Sequence, residues 1–196
     1  MLETIIRNAN RLQRLSEDIL DVTRIESQNL NLKPERINLI EMISNTIKDT
    51  KDQIKINYNT KLCFEPAAED TTIFVEADKG RLNQVISNLL NNAIKFTKEG
   101  VITVSTKRII TTKNVQQNQK EVVMVSIKDT GSGIDLEILP RLFSKFASKS
   151  YQGTGLGLYI SKSIVEAHGG KMWAENNVDT GKGCTFYFTF PIATGI

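Results

Sequence analysis

The segment "NQVISNLLNNAIKFT", residues 83–97, carries polar side chains whose types and spacing could perform chemistry. At about 100° per residue, its apolar side chains fall on one side of a helix and a polar row falls on the other. Asparagine lowers helix propensity because its amide competes for backbone hydrogen bonds, so a plain solvent face seldom uses several. An amide oxygen can bind a hard cation and a lysine can bind an anion. The row therefore indicates a metal and phosphate site, with an ordinary solvent face as the alternative; it consists of Gln84, Asn88, Asn91, Asn92 and Lys95.

Two glycine clusters point to the same chemistry. "DTGSGI", residues 129–134, ends an apolar strand, and "GTGLGL", residues 153–158, opens a predicted helix that Gly169 and Gly170 stop. A helix N-terminus offers free N–H groups, and glycine lets the backbone approach a ligand, so the second cluster predicts a phosphate cradle. Its spacing matches neither the dinucleotide-binding fingerprint nor the P-loop, and a plain turn is an equally good interpretation of this cluster alone.

The elements that position these residues follow from the apolar patterns. Residues 1–27 contain no Gly or Pro and predict a long helix with a coiled-coil-like seam of Ile5, Leu12, Leu15, Ile19 and Val22. Pro34 interrupts the helical pattern, and Asn38 followed by Glu41 is typical of the start of a second helix, over 39–53. Helices are also predicted over 81–96 and at "YISKSIVEAH". Strands are predicted at "TTIFVEAD", "VITVSTKRI", "EVVMVSIKD" and "CTFYFTF", with the polar loop "TTKNVQQNQK" between the middle two.

The order of these elements predicts the fold class. Helices and strands alternate irregularly, and neighbouring strands are spaced as hairpins. This favours a two-layer α/β sandwich, with a mixed, mainly antiparallel sheet and helices on one face, preceded by the long N-terminal helix. A doubly wound parallel sheet is not favoured.

Composition excludes several classes of function. The chain has 196 residues, of which 40% are hydrophobic, and its net charge of +3 comes from 25 basic and 22 acidic residues, too balanced to indicate nucleic acid. No apolar run approaches the roughly 20 residues that span a bilayer, so no membrane contact is expected of this chain. Cys63 and Cys184 show no C-x-x-C spacing, and His168 is the single histidine, which excludes a zinc site of soft ligands. Reduced, buried thiols in a cytoplasmic protein are expected.

Taken in order, four segments resemble a known family. "NQVISNLLNNAIKFT", "DTGSGI", "RLFSKFASKS" and "GTGLGLYI" are similar to the N, G1, F and G2 boxes of the ATP-binding catalytic domain of sensor histidine kinases, in the GHKL or Bergerat-fold superfamily. The resemblance covers nearly the whole chain, including the lead-in "DKGRLNQVISNLL" and the tail "GCTFYFTFP". It implies part of a dimerisation and phosphoacceptor domain, its second helix, over 1–30, a linker over 31–36 and the catalytic domain over 37–196.

The resemblance also implies site residues for ATP and Mg²⁺. Asn92 would be the metal ligand, and Asn88 and Lys95 would be the catalytic residues, with Lys95 meeting the phosphates. Phe96 would lie against adenine, and Asp129 would accept a hydrogen bond from its exocyclic amine, which selects adenine over guanine. Residues 142–153 would form a lid anchored by Phe143 and Phe146. The other implied nucleotide-binding residues are Gly131, Gly133, Ile134, Lys149, Gly153, Thr154, Gly155, Leu156, Gly157 and Leu158.

Two departures from the family pattern are visible. Many relatives carry an arginine near the phenylalanine box, where this sequence offers Lys145 and Lys149. The phosphoacceptor segment of the family, similar to H-E-x-R-x-P, does not occur, and His168 follows the second glycine box, where a structural role is expected. The chain is therefore expected to be a kinase cut before or within its dimerisation domain.

The function implied is transfer of the ATP γ-phosphoryl group to a histidine outside these residues, for signalling to a response regulator. The full protein would be a homodimer through the N-terminal helix. One alternative is a GHKL-type ATPase, which resembles this chain but carries a glutamate as its base where Asn88 stands here. Another is a nucleotide-sensing docking module without enzymatic activity, which missing metal or phosphate ligands would favour.

Overall fold

A computed structural model describes residues 2–54, 59–67, 72–111, 120–147 and 153–193 of the chain. Most of the predicted polar loop "TTKNVQQNQK" and the predicted ligand Lys149 lie outside the described residues.

The described residues form four helices and seven strands. The helices are α1 (Leu2–Glu26), α2 (Leu39–Ile54), α3 (Lys79–Phe96) and α4 (Gly157–Ala167), with a 3₁₀ turn at Leu139–Arg141. The strands are β1 (Glu35–Asn38), β2 (Asn59–Pro66), β3 (Phe74–Ala77), β4 (Glu99–Thr111), β5 (Lys120–Asp129), β6 (Met172–Asn176) and β7 (Cys184–Pro191). Within the predicted linker, the strand β1 already begins at Glu35.

Five strands make one sheet in the order β2-β4-β5-β7-β6. β2 and β4 run parallel, and the other three pairs are antiparallel. β1 and β3 form a separate two-stranded antiparallel sheet, in which Ile37 lies opposite Val75. The mixed, mainly antiparallel α/β architecture predicted from the sequence is confirmed.

The core lies between α3 and one face of the large sheet. The predicted apolar side of α3 is buried, including Leu82, Val85 and Leu89, all 0% exposed. The strands contribute alternate residues, as a half-buried sheet requires. These include Val104, Val125, Phe186, Phe188 and Phe190. This packing fixes the rotation of α3 and directs its polar row away from the sheet.

The helix ends are held by side chains as well as by the backbone. The Asn38 side chain accepts the N–H of Glu41 at 3.3 Å, which confirms the predicted start of α2. Asp78 caps α3 by accepting the N–H of Arg81 at 3.0 Å. α4 ends at His168, whose Nδ1 lies 2.8 Å from the carbonyl of Ile164 and whose Nε2 accepts the N–H of Asp78 at 3.0 Å. Both ring nitrogens of His168 are thus occupied by protein groups.

α1 divides its predicted apolar seam between two surroundings. Leu15 and Val22 of the seam pack against the core, and so does Ile25, which was not part of the predicted seam. Ile5, Leu12 and Ile19 are 59%, 67% and 51% exposed, respectively. The seam is therefore not one continuous stripe facing one partner. Among the described residues, no helix combines the length and apolar character needed to cross a membrane.

The expectation that both thiols are buried is wrong for Cys63. Cys184 is buried, whereas Cys63 is only half-buried. The reason is the position of β2 at the edge of the sheet, where Leu62 is the one buried side chain of the strand.

Candidate functional site

The polar row of α3 faces the start of α4. Asn88 donates from Nδ2 to Oγ of Ser161, at 2.9 Å. A Cβ on Gly157 would lie 2.5 Å from Oδ1 of Asn88, so a larger residue there would force the Asn88 side chain to move. Asn88 therefore joins the two helices and supports the row from one end.

Asn92 and Lys95 continue the row without such partners. Both are half-buried, and within the described residues the Asn92 amide makes no hydrogen bond. The Lys95 ammonium lies 4.9 Å from the ring centroid of Phe96 and 3.4 Å from where a Cβ on Gly153 would stand. Burial lowers the pKa of Lys95. An anion at this position would compensate the desolvated ammonium, because a nearby opposite charge favours the charged form.

The glycine loop before α4 is shaped by close backbone contacts. Gly155 has a φ of +71°, and a Cβ on it would lie 2.8 Å from Cα of Phe146. Its carbonyl accepts the N–H of Phe146 at 2.9 Å. The loop then enters α4 at Leu156, which is buried and whose N–H is bound by the Thr154 hydroxyl at 3.3 Å. No side chain caps α4 at Leu156. The glycines therefore bring the loop and the start of α4 to the polar row of α3.

The predicted packing of the two lid phenylalanines is correct for one of them only. Phe143 packs against the core and meets Phe186 edge-on, with ring centroids 6.5 Å apart. Phe146 is 70% exposed, which contradicts the prediction that it packs. Its backbone has a φ of +60°, and its N–H bonds the carbonyl of Gly155. The lid residues 148–152 lie outside the described residues.

Asp129 lies at the other end of the site, 1% exposed. Its Oδ1 accepts the N–H of Gly131 at 2.9 Å and the N–H of Cys184 at 3.4 Å. Its Oδ2 accepts the Cys184 thiol at 3.0 Å. Burial, followed by the charge of Asp129, raises the pKa of the Cys184 thiol, which therefore stays protonated as a donor. The carboxylate is held by three donors in a fixed orientation.

Protein contacts explain the glycines after Asp129. A Cβ on Gly131 would lie 2.3 Å from the carbonyl oxygen of Phe96, at the end of α3. Gly133 has a φ of +73° and adjoins Asn176. The Asn176 amide bonds both the N–H and the carbonyl of Ile134, at 2.7 and 2.8 Å. This loop is thus fixed against α3 and β6 whether or not a ligand is near.

Sequence patterns did not reveal several residues of the site. Ser161 and Asn176 bind predicted site residues from distant positions in the chain, where no local motif marks them. Cys184 binds Asp129 from 55 positions away. Asn177, buried, donates to the carbonyl of Asp129 at 2.8 Å. The neighbouring sequence "GKGC" was a detectable signal, because a Cβ on Gly183 would lie 1.9 Å from that same carbonyl.

Of the two candidate lysines in the phenylalanine box, only Lys145 lies in the described residues. Its ammonium pairs with Glu26 at the end of α1 and lies 5.3 Å from the ring centroid of Tyr159. Lys145 is therefore engaged with α1 in this conformation.

The donor set fits Mg²⁺ brought with a phosphate ligand. Among the described residues no group of three or more His, Cys, Asp or Glu side chains could hold a metal. Mg²⁺ usually keeps several waters and takes one or two protein oxygens plus substrate phosphates. The Asn92 amide, which has no hydrogen-bond partner in the described part of the chain and lies one turn before Lys95, suits that pattern better than it suits a metal held by protein alone.

Comparison with known proteins identifies the family. Residues 77–194 match the family described as histidine kinase-, DNA gyrase B-, and HSP90-like ATPase, which is more than half of the chain. The catalytic domain of histidine kinase ThkA is 35% identical, with a TM-score of 0.68, over 81% of this chain and 95% of that one. The chain belongs to this ATPase family and is similar to the catalytic domains of its histidine kinases.

Two longer relatives extend the similarity to α1. The sensory/regulatory protein RpfC of Xanthomonas campestris pv. campestris is 32% identical over 99% of this chain. Full-length ShkA, solved in complex with AMPPNP, shares the fold over 98% of this chain with a TM-score of 0.78 at 24% identity. This chain spans about a quarter of the length of RpfC, 26%, and 38% of ShkA.

Proposed function

We propose that this chain binds ATP with Mg²⁺ and transfers the γ-phosphoryl group to a histidine on the helical stem of a sensor kinase dimer. The phosphoryl group would then pass to an aspartate of a response regulator. The observation that carries the proposal is the meeting of three features: the row of Asn92 and Lys95, the glycine loop at the start of α4, and the fixed carboxylate of Asp129.

The proposed nucleotide orientation follows from the charges at the two ends of the site. Lys95 and the free N–H groups at the start of α4 favour the phosphates. Asp129 offers only acceptor atoms, so it favours the amino group of adenine and disfavours the keto group of guanine. Phe96, 45% exposed between these ends, would lie against the base.

Each residue then has a distinct proposed task in the transfer. Lys95 orients the phosphates and stabilises their charge, and Asn88 keeps α3 and α4 in contact through Ser161. Mg²⁺, held by Asn92, would supply neutralisation of phosphate charge in an in-line transfer. The nucleophile would be an incoming imidazole and not water. The catalytic unit therefore needs no base to deprotonate a water molecule.

Position 88 favours transfer over hydrolysis. An ATPase on this fold needs a carboxylate base at this position, and an asparagine cannot accept a proton at neutral pH. The geometry adds a second reason, because the Asn88 amide is committed to Ser161. A non-enzymatic docking module would not need ligands for a metal and phosphates. It is less favoured, since Asn92 and Lys95 offer such ligands and have no hydrogen-bond partner among the described residues.

Calorimetry combined with a phosphate-release assay tests the proposal. We expect ATP to bind more tightly with Mg²⁺ than with a chelator, and free phosphate to appear only slowly. Steady release of phosphate that Asn88→Ala leaves unchanged would support a hydrolase with another base. Absence of ATP binding under both conditions would refute the proposal.

A further inference from the structure

The C-terminal half of α1 is bound to the catalytic unit by acidic residues. Asp21 accepts from Nη1 of Arg81 at 2.7 Å and from Nε2 of Gln84 at 2.8 Å, both at the start of α3. Glu26 pairs with Lys145. Leu15 and Val22 add apolar contacts with the core. These contacts place the helix beside the glycine loop.

One contact reaches the glycine loop itself. The Thr154 hydroxyl donates to Oδ2 of Asp18 at 2.7 Å. Thr154 stands between Gly153, which adjoins Lys95, and Gly155, which shapes the entry to α4. The same hydroxyl oxygen accepts the N–H of Leu156 at 3.3 Å, so Asp18 is linked through Thr154 to the start of α4.

The position is unfavourable for the Asp18 carboxylate. Burial raises the pKa of Asp18, the neighbouring Asp21 and Glu17 raise it further, and the bond from Thr154 and the charge of Arg14 oppose them. A desolvated carboxylate beside a loop that receives phosphates would also repel the triphosphate, because solvent screens this repulsion only weakly.

We propose that Asp18 gates the phosphate end of the nucleotide site: with α1 docked, it holds the Thr154 hydroxyl and places a negative charge where the phosphates arrive. This inference rests on the proposed ATP site. ATP binding and α1 docking therefore oppose one another, and by linkage each weakens the other by the same factor. Binding of ATP frees α1, and movement of α1 changes ATP affinity.

Nucleotide affinities of matched variants test the gate. Asp18→Asn removes the charge, and Glu17→Gln removes the same charge from an exposed neighbour whose carboxylate accepts from Gln13 one turn earlier. We expect Asp18→Asn to bind MgATP at least about fivefold more tightly than wild type, the lower end of usual coupling energies. Glu17→Gln should bind it as wild type does. Adenosine, which has no phosphate, should bind both variants and wild type equally.

The outcomes separate this inference from the proposed function. If wild type binds MgATP and Asp18→Asn binds it equally or more weakly, the gate is refuted and the ATP site stands. If Asp18→Asn tightens adenosine and MgATP alike, the effect is not at the phosphate end, and the gate is again refuted. If neither wild type nor Asp18→Asn binds MgATP, the proposed function and the gate both fail.

Hydrogen exchange provides a second measurement on wild type. MgATP should increase amide exchange in the half of α1 that carries Asp18 and Asp21, whereas adenosine should not. Unchanged or slower exchange in α1 with MgATP bound would overturn the gate.

Discussion

At the scale of residues, the polar row of α3 contains side chains with two roles: one holds α3 against α4, and another has no hydrogen-bond partner within the described residues. Asn88 is bonded to Ser161, whereas the Asn92 amide has no partner among the described residues. The row was predictable from spacing, because helical periodicity is local. The different roles of Asn88 and Asn92 were not predictable, because the partner of Asn88, Ser161, lies 73 positions further along the chain.

Asn92→Ala should remove most of the Mg²⁺ dependence of ATP affinity. We expect about tenfold weaker MgATP binding, roughly 1.4 kcal/mol, with little change for ATP in chelator. Asn91→Ala is the control, since Asn91 belongs to the same row but is exposed. Calorimetry that shows full Mg²⁺ dependence in Asn92→Ala would remove Asn92 from the metal site.

Asp129→Asn should abolish the preference for ATP over GTP. In the asparagine variant, the amide oxygen can still accept the N–H of Gly131. The NH₂ group then stands where Oδ2 was, so the acceptor proposed for the adenine amine is lost. Loss of a charged hydrogen bond costs about 1.5–3 kcal/mol, so ATP affinity should fall roughly ten- to hundredfold. Asp179→Asn is the control, because Asp179 is an exposed aspartate that pairs with Lys128. Retained ATP selectivity in Asp129→Asn would refute the adenine contact.

At the scale of elements, the sequence predicted those with strong local patterns. α3, α4, β4, β5 and β7 carry clear helical or alternating periodicity and lie close to where it places them. β1, β2 and β6 were not predicted, for a physical reason. β1 and β6 have four and five residues, and β2 buries a single side chain, so their stability comes from pairing with distant strands.

Asp78 links three elements, and its removal should destabilise the domain. Besides capping α3, it accepts the N–H of Lys33 at 3.0 Å and donates its own N–H to His168. Asp78→Ala should lower the free energy of unfolding by about 1 kcal/mol, the usual cost of an N-cap. Asp78→Asn is the control, because asparagine also caps helices.

Acid should reduce the difference between wild type and Asp78→Ala. Burial raises the pKa of Asp78, but bonds from the N–H groups of Lys33, Arg81 and Gly80 and the charge of Arg81 outweigh it, so the pKa lies below the ordinary value of an aspartate. The stabilisation by the charged cap is therefore present above the unfolded value and is lost as pH falls through the folded pKa. Denaturant unfolding at neutral and acidic pH checks this. A difference that stays constant with pH would show that the charge contributes nothing.

At the scale of the whole molecule, α1 retains exposed apolar residues after docking. Ile5, Leu12 and Ile19 exceed half exposure, and Leu20 is 55% exposed. Several exposed large apolar side chains on one helix favour association. We expect the chain to dimerise with increasing concentration, and Leu12→Glu together with Ile19→Glu to shift it to monomer. Val178→Glu, at a site 93% exposed outside α1, should leave the dimer intact. Sedimentation that shows only monomer in wild type would contradict this.

One labelling experiment tests whether this chain is the donor half of a histidine phosphotransfer reaction. The chain is incubated with Mg²⁺ and γ-labelled ATP, alone and with a separate histidine-bearing kinase stem. Alone, it should acquire no stable phosphohistidine, because both ring nitrogens of His168 are bonded within the fold. With the stem, acid-labile label should appear on the stem, be lost with Asn92→Ala and persist with Asn91→Ala. Label on His168 that disappears in His168→Gln, or phosphate release with no label on the stem, would contradict the account.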